Sequence, residues 1–225
     1  MLPEKEITRL VRIAESFYNP AAILYVGIAR VNELHVELME GVWFGVACDE
    51  QRVFATSFAS TSEKALRCLL DSVPFNMPFR VSAGSAFAVK VLNLVKRVYD
   101  GEDASLKVAL ATERLPDYTQ RVLRTVALIP PGYVATYGSV AEAAGGGARA
   151  VGNVMAANPF APIVPCHRVV SANFALGGYG GGLDVKIAML KRERRGYTEK
   201  REIPVEDGKL RVFPVEFVLA KLKNE

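Results

Sequence analysis

Histidine is scarce in this chain, with two among 225 residues, beside three cysteines and a single tryptophan. Cys48, Cys68 and Cys166 are too few for a disulfide framework, and no Cys-x-x-Cys or His-x-x-x-His spacing offers a zinc site. No metal and no cofactor is expected. No apolar run approaches the ~18 residues of a membrane helix, and the opening Met-Leu-Pro-Glu-Lys-Glu lacks a signal peptide's apolar core. The expectation is therefore a cytoplasmic protein, or a nuclear one if the source is eukaryotic, with no membrane partner. Repeats and low-complexity segments are lacking too, and the glycine-rich stretch 177–182 is followed by no Gly-Lys-Ser/Thr, so it is not a phosphate loop.

What the chain does have is an ordinary globular composition, half hydrophobic and 23% charged, with a net charge of +4 and a pI near 9.0. The charge is uneven. Between Asp117 and Arg195 nine basic residues face four acidic ones, a net of +5, which suits a polyanion but also suits a merely solvated face.

Residues 3–18 have apolar Ile7, Leu10, Val11 and Ile13 at helical spacing. After Asn19-Pro20 the pattern turns to strands over 22–28, 34–39, 42–47 and 52–58, joined by short polar loops, which predicts antiparallel hairpins with His35 on the surface. Helices are expected from about Ser62 (capped by it or by Thr61) to Leu70 and from Ser85 to Tyr99, and a last strand over 105–111. Pro116 marks the expected boundary between a domain of residues 1–115 and one of 116–225. The fold class is α+β: an N-terminal α+β domain with a small antiparallel sheet, then a mostly helical domain.

In the second half, Asp117 is read as the cap of a helix burying Val122, Val126 and Leu128. Two short helices, 139–144 and 148–157, flank Gly145-Gly146-Gly147 as a helix-turn-helix, a pattern that core helix pairs share. The second buries Val151, Val154 and Met155 and presents Arg149, Gly152, Asn153 and Ala156. It lacks the Arg, Asn or Gln array that reads base edges, so any DNA binding would ignore sequence. A helix over 183–194, with Val185, Ala188 and Met189 inward, carries Glu193 near its C-terminal end, where the dipole favours cations; from the residues alone it reads as part of a solvated charge cluster. Beyond Gly196 come an expected hairpin, 202–205 with 210–215, and a short helix, 216–222.

The most unusual stretch is Pro165-Cys166-His167-Arg168-Val169, reached through Asn158-Pro159 and the apolar residues 160–164. Prolines stiffen the approach, and Ile163 and Val164 place the thiol in a buried setting. Such a cysteine is either structural or, with its proton drawn off, a nucleophile. On spacing alone the two readings stand level. His167, being adjacent, would act through a water or relay.

With Tyr137, the helix-turn-helix carrying Arg149-Ala150-Val151-Gly152, the Asn158-Pro159 to Pro165-Cys166-His167-Arg168-Val169 stretch, and Gly181-Gly182-Leu183 to Glu193 in that order, the chain resembles the O6-alkylguanine-DNA alkyltransferases. The likeness is close over 117–195 and general before it. It implies irreversible transfer of an alkyl group from O6-alkylguanine, and from O4-alkylthymine secondarily, onto Cys166. His167 would be the base, Glu193 would orient it, and Asn158 would hold the turn between the DNA helix and the cysteine. Tyr137 would rotate the target phosphate and protonate the leaving guanine. The resemblance further implies that Arg149 fills the gap of the flipped base, with Tyr137, Ser139, Ala148, Gly152 and Asn153 also on the DNA. Met155, Val169, Tyr179 and Gly180 would line the alkylguanine pocket. The implied partner is double-stranded DNA bound by a monomer.

Three departures accompany the likeness: the all-glycine turn, Gly180 where many relatives have serine, and Ala156 where some have a second arginine. A Cys/His hydrolase would share the triad but predicts many turnovers. A non-catalytic DNA-binding module would share the helices but has no use for Cys166 with His167 and Glu193.

Overall fold

The computed structural model describes residues 4–17, 32–74, 77–104, 108–206 and 208–223. The strand expected over 22–28 lies outside them. Two compact units emerge: residues 1–96 with 106–111 and 159–161, and residues 97–105 with 112–158 and 162–225.

In the first unit, strands β1 (Asn32–Met39), β2 (Val42–Cys48) and β3 (Arg52–Ala59) form the expected antiparallel meander. Glu40 and Gly41 both take positive φ, 50° and 81°, as a two-residue hairpin turn requires. Helix α1 (Glu4–Phe17) and helix α2 (Ser62–Ser72) cover the sheet through Leu10, Leu66 and Leu69, which bury against Leu34, Val36 and Phe54. Thr61 is the cap of α2, its hydroxyl accepting Lys64 N–H at 3.2 Å. Helix α3 (Ala86–Tyr99) buries Val91, Leu92 and Val95, as its spacing predicts.

Two expectations fail here, for one reason. Strand β4 (Phe79–Val81) pairs parallel to β1, and β5 (Ala109–Leu110) pairs parallel to β3, so the sheet β4-β1-β2-β3-β5 is mixed and not purely antiparallel. Each edge strand returns after a helix, and no local signal marks such a crossover. Covered by this return, His35 is not a surface residue: it is 4% exposed and its Nδ1–H donates to Ser82 O at 3.1 Å.

The second unit begins with α4 (Asp117–Ala127). Asp117 is its first helical residue and not the cap; Pro116 holds that place, leaving Asp117 to complement the helix dipole. Val122 and Val126 are buried as expected, but Leu128 is 46% exposed, because the helix ends at Ala127 and the chain turns to bury Ile129 instead. Strand β6 (Tyr133–Thr136) runs directly into α5 (Tyr137–Ala144), whose N-terminus is closed by Thr136 Oγ1 accepting Ser139 N–H at 3.0 Å. Helix α6 (Ala148–Ala156) completes the helix pair. The turn between them needs glycine: Gly146 has φ 99°, and a Cβ there would lie 2.7 Å from the Tyr118 hydroxyl.

A single helical turn over Cys166–Arg168 leads into β7 (Val169–Val170), and α7 (Leu183–Arg192) follows the glycine loop. The predicted tail hairpin, β8 (Arg201–Val205) with β9 (Gly208–Pro214), precedes α8 (Val215–Leu222). Strand β9 also pairs antiparallel with β6, giving a four-stranded sheet β7-β6-β9-β8 inside a unit expected to be mostly helical. Among the described residues no helix is long and apolar enough to cross a membrane.

Candidate active site

The second unit gathers its chemistry around the Cys166–Arg168 turn. Cys166 is 7% exposed and His167 fully buried. Asn158 donates from Nδ2 to Val164 O at 2.9 Å, closing the loop that delivers the cysteine, and its side chain also hydrogen-bonds the thiol. His167 Nε2 lies 2.8 Å from Glu193 Oε1. Facing a carboxylate, Nε2 carries the proton, which leaves Nδ1 as the lone-pair nitrogen; it has no hydrogen-bond partner among the described residues.

Glu193, oddly placed for an acid at the C-terminal end of α7, is 0% exposed. Its second partner is Arg168, which donates from Nε to both oxygens at 3.0 Å and from Nη2 at 2.8 Å. Arg168 Nη1 also donates to Ile129 O at 2.6 Å, so one guanidinium ties together the cysteine turn, the end of α7 and the chain after α4. Burial alone would raise the Glu193 carboxyl, but the charge and hydrogen bonds of His167 and Arg168 prevail and hold it at about 2. His167 is pushed below its ordinary value, by burial above all, against the pull of Glu193. Burial raises the Cys166 thiol; Asn158 and Lys186 oppose that rise. Near pH 7 the resting site is thus a thiol, a neutral imidazole and a carboxylate; His167 carries its charge only in acid, where Glu193 titrates, and Cys166 only in base, where Tyr137 does.

Lys186 is the residue that sequence reasoning missed. The pattern placed Val185 and Ala188 inward, yet both are half-buried, while Lys186, Met189 and Leu190 form the buried face. Its ammonium, 0% exposed, donates to Val169 O at 2.7 Å and Leu176 O at 2.5 Å. Burial pulls it down to about 8, and the neighbouring Cys166 partly restores it. Its Nζ also stands 5.9 Å from the centre of the Tyr179 ring. A lysine at i and a glutamate at i+7 share one helix face, which was the available signal.

The other expected residues divide. Tyr137 is half-buried, packed by Gly177 and raised by burial and then by the charge of Cys166. Tyr179 donates to Met189 Sδ at 3.7 Å and is raised well above its ordinary value by burial first. Met155 and Val169 are buried, and Gly180 is exposed. On α6, Ala148, Arg149 and Asn153 are exposed and Gly152 is half-buried, on a surface that is mostly small apart from Arg149. Ser139 is not on that surface: it is 4% exposed, and its hydroxyl lies 2.9 Å from Thr136 Oγ1, because the N-terminus of α5 uses it internally.

These groups set the response to acid. In the unfolded chain Glu193 binds a proton below 4.5, in the folded one only near 2, so its stabilisation is complete above 4.5 and lost as pH falls towards 2. His167, lowered from 6.5, acts in the same sense: below 6.5 the unfolded chain binds a proton that the folded one resists. The melting temperature should therefore fall steadily from pH 7 to pH 3. Thermal melts followed by circular dichroism check this, and a melting temperature that held level or rose on acidification would contradict the assigned charges.

The comparisons with known proteins converge on this unit. The family model described as 6-O-methylguanine DNA methyltransferase, DNA binding domain, matches residues 117–195. A methylated-DNA–protein-cysteine methyltransferase of Mycolicibacterium paratuberculosis is 49% identical over 81 residues, 35% of this chain and 49% of that protein. One from Methanocaldococcus jannaschii is 41% identical over 109 residues, 47% of this chain and 65% of its own. The matched part thus spans about half to two thirds of these curated relatives. Among solved structures, that of the Mycobacterium tuberculosis protein in complex with DNA has a TM-score of 0.58 at 27% identity, covering 72% of this chain and 92% of that one. The O6-methylguanine-DNA methyltransferase of Pyrococcus kodakaraensis has a TM-score of 0.57 at 30% identity, covering 71% and 98%. The buried Cys166–His167–Glu193 arrangement and these likenesses lead to one conclusion: the chain belongs to the O6-methylguanine-DNA methyltransferase family.

Proposed function

We propose that this protein repairs DNA inside the cell by moving the alkyl group of O6-alkylguanine onto Cys166, once per molecule, and that it binds duplex DNA as a monomer without regard to sequence. The observation that carries this reading is His167, next in sequence to Cys166 and buried with Nε2 on Glu193, which leaves Nδ1 as a base without a hydrogen-bond partner among the described residues. Chemistry at O6 needs the base out of the stack, at a cost of a few kcal/mol that is least for a damaged pair. The small face of α6 lets the helix lie close to the duplex while Arg149, at its start, enters the gap.

In the flipped state the Cys166 proton passes through a bridging water to His167 Nδ1, and Glu193 stabilises the imidazolium. The thiolate attacks the alkyl carbon, the S–C bond forms, and the C–O6 bond breaks. Guanine takes its proton from Tyr137, whose raised hydroxyl stays protonated until then. Lys186 supplies a fixed positive charge beside the nascent thiolate. Gly180 offers only its backbone N–H to the O6 atom. The product is a thioether with no carbonyl for water to attack, so the protein is spent.

Turnover separates this reading from a Cys/His hydrolase. With a tenfold excess of an O6-methylguanine duplex, demethylation should stop at one equivalent of protein; continued release would sink the proposal. Arg149 gives a second check. Arg149→Ala should slow transfer from duplex DNA far more than transfer from free O6-benzylguanine, which needs no flipping. Arg149→Lys should rescue only in part, since an ammonium does not stack as a planar guanidinium does. Equal losses on both substrates would make Arg149 a support of the fold or pocket.

A further inference from the structure

The segment 196–225 lies beyond the matched residues 117–195 and holds none of the site side chains, yet its described part packs on three elements that carry them or lead directly into them. Strand β9 pairs Val134 with Phe213 and Tyr133 with Pro214, and Val215 N–H donates to Gly132 O at 2.9 Å, which fixes the strand running into Tyr137. Helix α8 buries Val215 and Val218 against Leu190, Leu176 and Val170, with Ile187 beside them. Helix α7 is therefore two-faced: Lys186 and Met189, with Glu193 just past its end, serve the site, while Ile187 and Leu190 meet the tail.

The third contact is the most telling. Phe174, in the loop between β7 and α7, has φ 62°, a left-handed conformation that a bulky side chain rarely holds unaided. Its ring is met edge-on by Phe213, with centroids 5.2 Å apart at 68°, and by Phe217, 5.5 Å apart at 79°. The strained turn sits just ahead of Leu176, which accepts Lys186, and of Gly177, Tyr179 and Gly180.

We propose that the tail is a positioning element for the substrate loop: Phe213 and Phe217 clamp Phe174 in its left-handed turn and so hold residues 171–182 in register with Cys166. The inference rests on the alkyl-transfer reading. An unclamped Phe174 relaxes toward ordinary backbone angles, and the loop carrying Tyr179 and Gly180 drifts from the cysteine. Misplacement on that scale slows a reaction while leaving the binding helix untouched.

The test compares wild type, F213A/F217A and the bulk-preserving F213L/F217L, well below their melting temperatures. Three readouts are taken: the single-turnover transfer rate on an O6-methylguanine duplex, the affinity for undamaged duplex, and hydrogen exchange of the amides of residues 171–182. The expected result for F213A/F217A is a transfer rate about 10- to 100-fold lower, unchanged DNA affinity and faster exchange in 171–182. F213L/F217L should recover most of the rate. Should the double alanine variant fail to fold, F217A, at a residue already 38% exposed, replaces it, with the same direction of change and a smaller effect. Unchanged rate and exchange in a folded variant would overturn the inference, as would rate and affinity falling in equal proportion. Wild-type protein that transfers nothing would instead overturn the alkyl-transfer reading, while the exchange data still judge the clamp.

Discussion

Cys166→Ser should abolish transfer while leaving affinity for duplex DNA unchanged. The serine hydroxyl fits the same buried place and keeps Asn158 and Lys186 as neighbours, so neither the loop of residues 158–165 nor α6 has reason to move. What changes is the acid. A thiol already raised by burial still comes within reach of a neutral imidazole helped by a buried ammonium, whereas an alcohol does not. The check is a single-turnover assay on an O6-methylguanine duplex beside a binding titration on the same protein. Any stoichiometric transfer by the serine variant would remove Cys166 from its role; lost affinity would show that the cysteine matters to the fold of the binding surface.

Glu193→Gln carries the second large effect. The amide keeps an oxygen for His167 Nε2–H but removes the charge that favours the imidazolium, so the transfer rate should fall by about 10²- to 10⁴-fold, the scale seen for triad carboxylates. The same change leaves the Arg168 guanidinium, 5% exposed, without its counter-charge. Breaking a buried pair in that way costs about 3–5 kcal/mol, so the melting temperature should drop as well. Rate and stability separate the two roles. Arg168→Met, which removes the guanidinium and leaves the His167 contact, should lower stability more than it lowers the rate. If Glu193→Gln melted lower but transferred at the wild-type rate, Glu193 would be a counter-ion for Arg168 and nothing more.

How much of this was legible in the sequence depended on how local each feature is. Pro165-Cys166-His167-Arg168-Val169 is contiguous, and Glu193 stood out because it breaks the charge rule at a helix end; its burial between His167 and Arg168 explains the breach. The β1–β3 meander and the helix pair α5–α6 follow from alternation, helical spacing and glycine turns, all short-range. Lys186 was invisible because a lysine in a basic stretch reads as solvated; only the fold shows that two carbonyls, of Val169 and Leu176, accept its hydrogen bonds. Ser139 was misplaced because a serine near a helix start serves either a ligand or a cap, and here it serves the cap. His35 and the β6–β9 pairing were lost for a common reason: partners distant in sequence leave no periodic trace. The strain at Phe174 likewise becomes visible only beside Phe213 and Phe217.

The most direct test of the central claim is the mass of the protein and of its peptides after incubation with one equivalent of a duplex holding a single O6-methylguanine. The account predicts the gain of one CH2 unit per molecule, confined to the peptide containing Cys166, stable to water and to thiols, with unmodified guanine left in the DNA. An unchanged mass with the lesion intact would contradict it, as would a methyl group found on Cys48 or Cys68 instead.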